Sequence, residues 1–212
     1  MVKEAWPYLA GGVLVTLGLG VWIGAPWAIL AALLTLALAS FFRDPARRIP
    51  QDPRLVLSPA DGKVVAIEGA RGEEAGGRCV SIFLSLFNVH VNRAPVDGRV
   101  TGIRYTPGSF LPAYHEKASD LNEQNLILLE TGNGPMAVKQ IAGVIARRIR
   151  CWKAAGDTVS RGERIGFITF GSRVDLILPA RAELRVAVGD RVRGGTTVVA
   201  VFPDGPSAGT AP

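Results

Sequence analysis

Charge is missing from the start of this 212-residue chain: no Asp, Glu, Lys or Arg falls between Ala5 and Phe42. Cysteine is scarce. Cys79 and Cys151 are the only two, far apart and outside any Cys-x-x-Cys or Cys/His cluster. That spacing argues against a disulfide framework and a structural metal, leaving two reduced thiols and no metal ligands. Histidine is equally sparse, with His90 and His115 alone available as imidazole bases. There is no Gly-x-Ser-x-Gly, so a hydrolase built on a nucleophile elbow has little support. No lysine follows Lys153, which excludes a carrier domain that presents a modified lysine late in the chain. Past Phe42 no long amphipathic pattern is visible, so a helical bundle is excluded as well.

What is present divides into an apolar beginning and a mixed remainder. The uncharged stretch breaks at Gly24-Ala25-Pro26 into two runs of about 17 residues, each about 25 Å long as a helix against a hydrocarbon core of about 30 Å. This predicts a membrane-anchoring helical hairpin over residues 1–42, with Trp6, Tyr8, Trp22 and Trp27 near its ends and turn. Ala37-Leu38-Ala39 resembles a signal-peptidase site, but Lys3 is balanced by Glu4 and the apolar stretch exceeds a signal core, which favours an anchor. The net charge of +6 suits an anionic partner, and Arg43, Arg47 and Arg48 follow the hairpin directly, where headgroups would be. Without interleaved aromatics, membrane is favoured and nucleic acid is not expected. Positive charge after the second run places the remainder on the cytoplasmic face of the cell membrane.

A lead-in over 43–57 and a catalytic domain over 58–203 follow, then a C-terminal tail, 204–212, expected to be flexible. Short apolar runs at 64–67, 79–84, 126–129, 143–146 and 198–202, separated by Gly, Pro and Asp, predict a β-rich (α+β) domain. The segment 88–97 has too many polar breaks to be a core strand throughout. Gly156-Asp157-Thr158-Val159-Ser160-Arg161-Gly162 recurs 33 residues later as Gly189-Asp190-Arg191-Val192-Arg193-Gly194-Gly195, each copy preceding a strand. Such paired turns resemble the barrel-sandwich hybrid of lipoyl and biotinyl domains over about the last 55 residues.

Gly171-Ser172 interrupts the apolar run 168–179, near the tip between these two units. It reads either as a kink in a buried strand or as a place where the chain cuts itself. Asp61, in Ser58-Pro59-Ala60-Asp61-Gly62, reads as a hairpin turn or as a carboxylate that orients a base. His90, in Leu86 to Pro95, is either a structural histidine or a general base; His115 and the polar stretch 120–125 read most simply as loop. Ser, His and Asp together make a nucleophile, base and orienting group. Their order, with Phe42-Arg43-Asp44-Pro45, Ser58 to Gly62, Phe83-Leu84-Ser85, Val89-His90-Val91-Asn92-Arg93-Ala94-Pro95 and Phe170-Gly171-Ser172, resembles the phosphatidylserine decarboxylases in their short prokaryotic form. Several family members carry His-x-x-His here. His90 matches the first, and Arg93 stands at the second.

The resemblance implies a zymogen that cuts itself between Gly171 and Ser172 and converts Ser172 into a covalent pyruvoyl cofactor. His90 with Asp61 would deprotonate the serine. Chains β (to Gly171) and α (from 172) would stay partners, and phosphatidylserine would become phosphatidylethanolamine and CO2. A homo-oligomer is compatible with the sequence. The alternatives are a pyruvoyl decarboxylase of a related lipid or small amino acid, and a non-enzymatic, membrane-anchored lipoyl-like adaptor.

Overall fold

The computed structural model describes residues 1–70, 77–112, 118–143, 148–169 and 171–203. His115, the tail from 204 and most of the expected run 143–146 lie outside them. The chain separates into two compact units, Met1–Ala46 and Arg47 onward.

In the first unit a single 3-10 turn, Lys3–Ala5, leads into α1, Trp6–Trp22, and α2, Ala25–Phe41. The break falls where Gly24 and Pro26 put it. Gly24 takes φ +118°, open to glycine alone at little cost, and Pro26 lies in the first turn of α2, where no N–H is needed. Gly12 lets the two helices approach, since a Cβ there would sit 2.5 Å from Thr35 Oγ1. The hydroxyls of Thr16 and Thr35 donate back to the Gly12 and Ala31 carbonyls at 2.8 Å, so neither needs water. No residue of α1 is buried, and Leu14, Leu17, Val21 and Trp22 are exposed. An apolar surface of this extent calls for a non-aqueous partner. Lys3–Trp22 is long and apolar enough to cross a membrane; Ala25–Phe41 is shorter.

The second unit is the β-rich domain. Its strands in chain order are β1 Leu55–Leu57, β2 Gly62–Gly69, β3 Arg78–Leu84, β4 Val91–Arg93, β5 Gly98–Thr106, β6 Gln124–Glu130 and β7 Met136–Ile141. Then come β8 Ile149–Cys151, β9 Thr158–Val159, β10 Arg164–Ile168, β11 Ser172–Leu178, β12 Glu183–Leu184, β13 Arg191–Val192 and β14 Val198–Val201; a short helix α3, Ala118–Leu121, precedes β6. Among the described residues they form a curled eight-stranded sheet, β13-β2-β3-β11-β7-β6-β5-β9, and two three-stranded sheets, β1-β14-β12 and β4-β10-β8.

That order reads the same from both ends. Swapping β1, β2, β3, β11, β12, β13 and β14 for β4, β5, β6, β7, β8, β9 and β10 maps each sheet onto itself or its twin. The domain is therefore two similar halves about a pseudo-twofold between β11 and β7. Local details repeat with it: register shifts fall between Val64 and Ala66 and between Val100 and Gly102. Leu57 N donates to the Pro95 carbonyl, and Arg93 N to the Pro59 carbonyl, both at 2.9 Å. The paired Gly-Asp turns are bound in as expected. Gly156, Gly162, Gly189 and Gly195 all have positive φ, and the Gly162 and Gly195 N–H groups donate to the Ala94 and Ser58 carbonyls at 2.8 Å. The strands flanking each turn pair with each other, β8 with β10 and β12 with β14, and β10 and β14 also pair with β4 and β1 from the first part of the chain.

The halves differ in one connection. β6 and β7 are joined by a tight turn, Thr131 to Pro135, with Gly134 at φ +90°. Between β3 and β11 the corresponding turn is replaced by the whole second half. Gly171-Ser172 is where the chain returns. One core runs through the domain, with Val56, Ile82, Leu84, Val100, Ile127, Val174, Leu176 and Phe202 among its buried members.

Candidate active site at the return crossing

Three rows of pairing fix where the candidate residues lie. Ser172 faces Leu84 of β3, and Arg173 faces Phe83, which in turn faces Lys63 of β2. Asp61 and Gly62 therefore leave β2 at the end of the sheet where Ser172 begins β11. His90 comes to the same end by another route. Its carbonyl accepts the Ile168 N–H at 3.3 Å, just before the chain turns through Gly171. The loop from Leu84 to His90 is pinned by Asn88, whose Oδ1 accepts from Ser85 N at 2.9 Å and Ser85 Oγ at 2.7 Å. One end of one sheet thus gathers Asp61, His90 and Gly171-Ser172 from three separate stretches of the sequence.

Gly171 has φ +61°, in the left-handed region, with nothing among the described residues within 4 Å of where a Cβ would project. The position needs glycine for its backbone, not for lack of room. Ser172 is fully buried, and its Oγ has no hydrogen-bond partner among the described residues. Burying a hydroxyl without a partner costs about 1–3 kcal/mol, which a serine kept only for packing would not require.

His90 is also fully buried, packed edge-on to Phe167 with ring centroids 6.5 Å apart. Its Nδ1 lies 3.0 Å from the Asn88 carbonyl oxygen. A carbonyl only accepts, so Nδ1 carries the proton in this contact and Nε2 is the basic nitrogen.

Asp61 is held differently from the sequence expectation of a partner for His90. Among the described residues its carboxylate accepts from Arg47 Nη2 at 2.8 and 3.0 Å and from Gly194 N at 2.7 Å. The Asn88 backbone carbonyl is an acceptor on the imidazole. Arg47, expected among lipid headgroups, is committed to this pair, with its side chain 11% exposed. Arg93 is buried too: its Nη1 donates to the Gly162 carbonyl at 2.8 Å and its Cδ packs near Gly195. It ties the two repeated turns together, which accounts for a cation at this position.

Sequence reasoning missed the buried polar group on the opposite face of β11. Arg173 Nε donates to Asp175 Oδ1 at 2.7 Å and its Nη2 to Ser81 Oγ, while Ser119 Oγ donates to Asp175 Oδ2 at 2.7 Å. Cys79 lies beside it; burial, and then the Asp175 charge, push its thiol up to about 12. The alternation Arg173-Val174-Asp175 within an apolar strand was the available signal. Among the described residues no group of His, Cys, Asp and Glu could hold a metal ion.

A buried hydroxyl after a left-handed glycine, with an imidazole and a carboxylate at the same sheet end, defines a site suited to attack on its own backbone. Comparison with known proteins gives the family. The family model described as phosphatidylserine decarboxylase matches residues 34–200. A phosphatidylserine decarboxylase proenzyme of Ralstonia nicotianae is 46% identical over 203 residues, covering 94% of both chains. That of Ralstonia pickettii is 47% identical over the same span, and one from Neisseria meningitidis serogroup C is 44% identical over 206 residues, 96% of this chain and 77% of its own. The chain belongs to the phosphatidylserine decarboxylase family, enzymes made as precursors that are then processed.

Proposed function

We propose that this protein cuts itself between Gly171 and Ser172, turns Ser172 into a pyruvoyl group, and decarboxylates phosphatidylserine to phosphatidylethanolamine. The buried, unpartnered Ser172 Oγ directly after a left-handed glycine carries this reading. The chemistry begins with proton removal from Oγ by His90 Nε2. Oγ then attacks the Gly171 carbonyl carbon, the C–N bond breaks, and the Ser172 nitrogen takes the proton, leaving an ester. Removal of the Ser172 Hα expels the ester oxygen with Gly171 as a carboxylate. The remaining dehydroalanine takes up water and releases ammonia, so residue 172 ends as pyruvoyl.

A pyruvoyl group at 172 supplies an electrophilic ketone and an electron sink for loss of CO2 from an amine-bearing substrate. The residues present fit it: the position is buried and open on the Gly171 side, and His90 lies at the same end of the sheet. His90, oriented by Asn88, holds and returns the proton that replaces CO2. Asp61, fixed by Arg47 and Gly194, holds the turn that leads into β2 at this end of the sheet. The pairing of β11 with β3 and β7 would hold the α chain in the sheet after cleavage, because its first strand is central.

The hairpin of α1 and α2 would anchor the enzyme in the cell membrane with its domain on the cytoplasmic face, where a two-tailed substrate stays. Release of CO2 from carboxyl-labelled phosphatidylserine by the wild-type protein, its loss in Ser172→Ala and its inhibition by carbonyl reagents test the proposal. Release undiminished in Ser172→Ala would overturn it.

A further inference from the structure

The loop between Ser172's partner strand and His90 carries two side chains the chemistry does not use. Leu86 is 46% exposed and Phe87 86% exposed, in a loop whose base is fixed by Asn88 and whose next residues, Val89 and His90, are buried. A rigid base under exposed apolar side chains is a poor arrangement for water and a good one for a surface that accepts them. Leu121, also half exposed, stands just ahead of β6 at the same end of the sheet. β6 lies three strands from β3, about 14 Å away, and Ser172 enters on β11 between them.

Charge accompanies this apolar rim. The Arg148 carbonyl accepts the Thr169 N–H at 3.4 Å, which puts Arg148 beside the chain leading into Gly171; its side chain is exposed and in no ion pair among the described residues.

We propose that this sheet end is a membrane-docking surface: Leu86, Phe87 and Leu121 enter the headgroup–acyl boundary of an anionic bilayer, with Arg148 at the phosphates. Exposed apolar side chains with a cation at the same sheet end match that interface, whereas a protein partner would leave the cation's role open. The proposal rests on the phospholipid reading above and deepens it. A headgroup can reach a buried residue 172 without its acyl chains leaving the bilayer only if the mouth of the site lies at the lipid surface. The hairpin alone restricts the enzyme to the membrane; this second contact would orient it.

The test is photo-crosslinking of the full chain to vesicles of phosphatidylserine and phosphatidylcholine bearing a diazirine in the acyl chain, with adducts mapped by mass spectrometry. Adducts are expected in the hairpin and in the peptide containing Leu86 and Phe87. None are expected around Val188, an exposed apolar residue in the loop before β13. Leu86→Ser/Phe87→Ser should lower the yield at this loop about tenfold. Both side chains are exposed, so the core is untouched. Adducts confined to the hairpin, or equal at Val188, would overturn the proposal. Ser172→Ala should crosslink as the wild type does, so a failure of the decarboxylase reading and a failure of docking give different results.

Discussion

The two halves of the β domain use the same device and put it to different ends. Pro59-Ala60-Asp61-Gly62 and Pro95-Val96-Asp97-Gly98 are equivalent, 36 residues apart, and each Asp accepts a backbone N–H from the opposing Gly-Asp turn: Gly194 N for Asp61 and Arg161 N for Asp97. Each is followed by a glycine with no room for a Cβ: one on Gly98 would meet the Glu130 carbonyl at 2.6 Å, and one on Gly62 would clash with the Phe83 carbonyl. The cations differ. Asp97, whose side chain is 59% exposed, pairs with Arg161 of the turn it binds. At the matching position of the other turn stands Gly194, so Asp61, 13% exposed, takes Arg47 from before β1. His90 corresponds to Arg54, a surface residue in a salt bridge with Asp52. The tight turn between β6 and β7 corresponds to the gap that Gly171-Ser172 re-enters. One half keeps an exposed carboxylate and a closed turn, while the other has a carboxylate drawn inward and Gly171-Ser172 where the turn would be.

Removing the base at the specialised end should have the largest effect. His90→Ala is expected to slow self-cleavage by about 10²–10⁴-fold, followed as the loss of uncut chain on denaturing gels, whereas Arg54→Ala should leave the rate unchanged. If both variants cut at the wild-type rate, the imidazole has no part in cleavage and the contrast between the halves is structural only.

The two aspartates sharpen the comparison next. Asp61→Asn leaves Arg47 nearly buried beside a neutral group and should cost about 2–4 kcal/mol in urea unfolding, with slower cleavage. Asp97→Asn should cost less, about 1 kcal/mol, because the carboxylate changed is itself largely exposed and water screens its pairing with Arg161, which keeps the Asp52 carbonyl as a partner. Equal losses with normal cleavage in both would reduce Asp61 to a second copy of the turn.

Gly171→Ala forces a side chain into the left-handed region at about 1–2 kcal/mol. The open space around it predicts a folded protein with altered cleavage kinetics, read by circular dichroism alongside the gel assay. The corresponding test in the other half, Gly134→Ala, carries the same backbone cost without touching cleavage. The smallest effect is at Cys79. With its thiol pushed up to about 12 by burial and the Asp175 charge, alkylation by iodoacetamide at pH 8 should be about 10²-fold slower than in the unfolded chain, and should accelerate as pH rises toward that value. Rapid modification in the folded protein would mean that β3 is open near Asp175.

Much of this was legible in the residues. The break at Gly24-Ala25-Pro26, the positive-φ glycines of the Gly-Asp repeat and the β-rich domain follow from local chemistry that neighbouring residues suffice to state. The second repeat was also in plain view, as Pro-Ala-Asp-Gly and Pro-Val-Asp-Gly, but its meaning depends on which turn each Asp reaches. The partner of Asp61 was not readable, because Arg47 and Gly194 are brought to it from opposite ends of the domain by sheet pairing. Nor was the acceptor for His90: the Asn88 carbonyl is a backbone atom, and side-chain patterns do not announce it. Arg173 and Asp175 were hidden for another reason. Alternation puts them on the far face of the strand that bears Ser172, where their pairing is decided by β3 and by Ser119.

The central claim is that Ser172 does not survive as serine. Intact mass analysis of the denatured, purified protein tests it most directly. Two chains are predicted, the first ending at Gly171 and the second starting at residue 172 and lighter by one ammonia than the same fragment beginning with serine. A single uncut chain in active protein, or a second fragment with an ordinary N-terminal serine, would contradict the account.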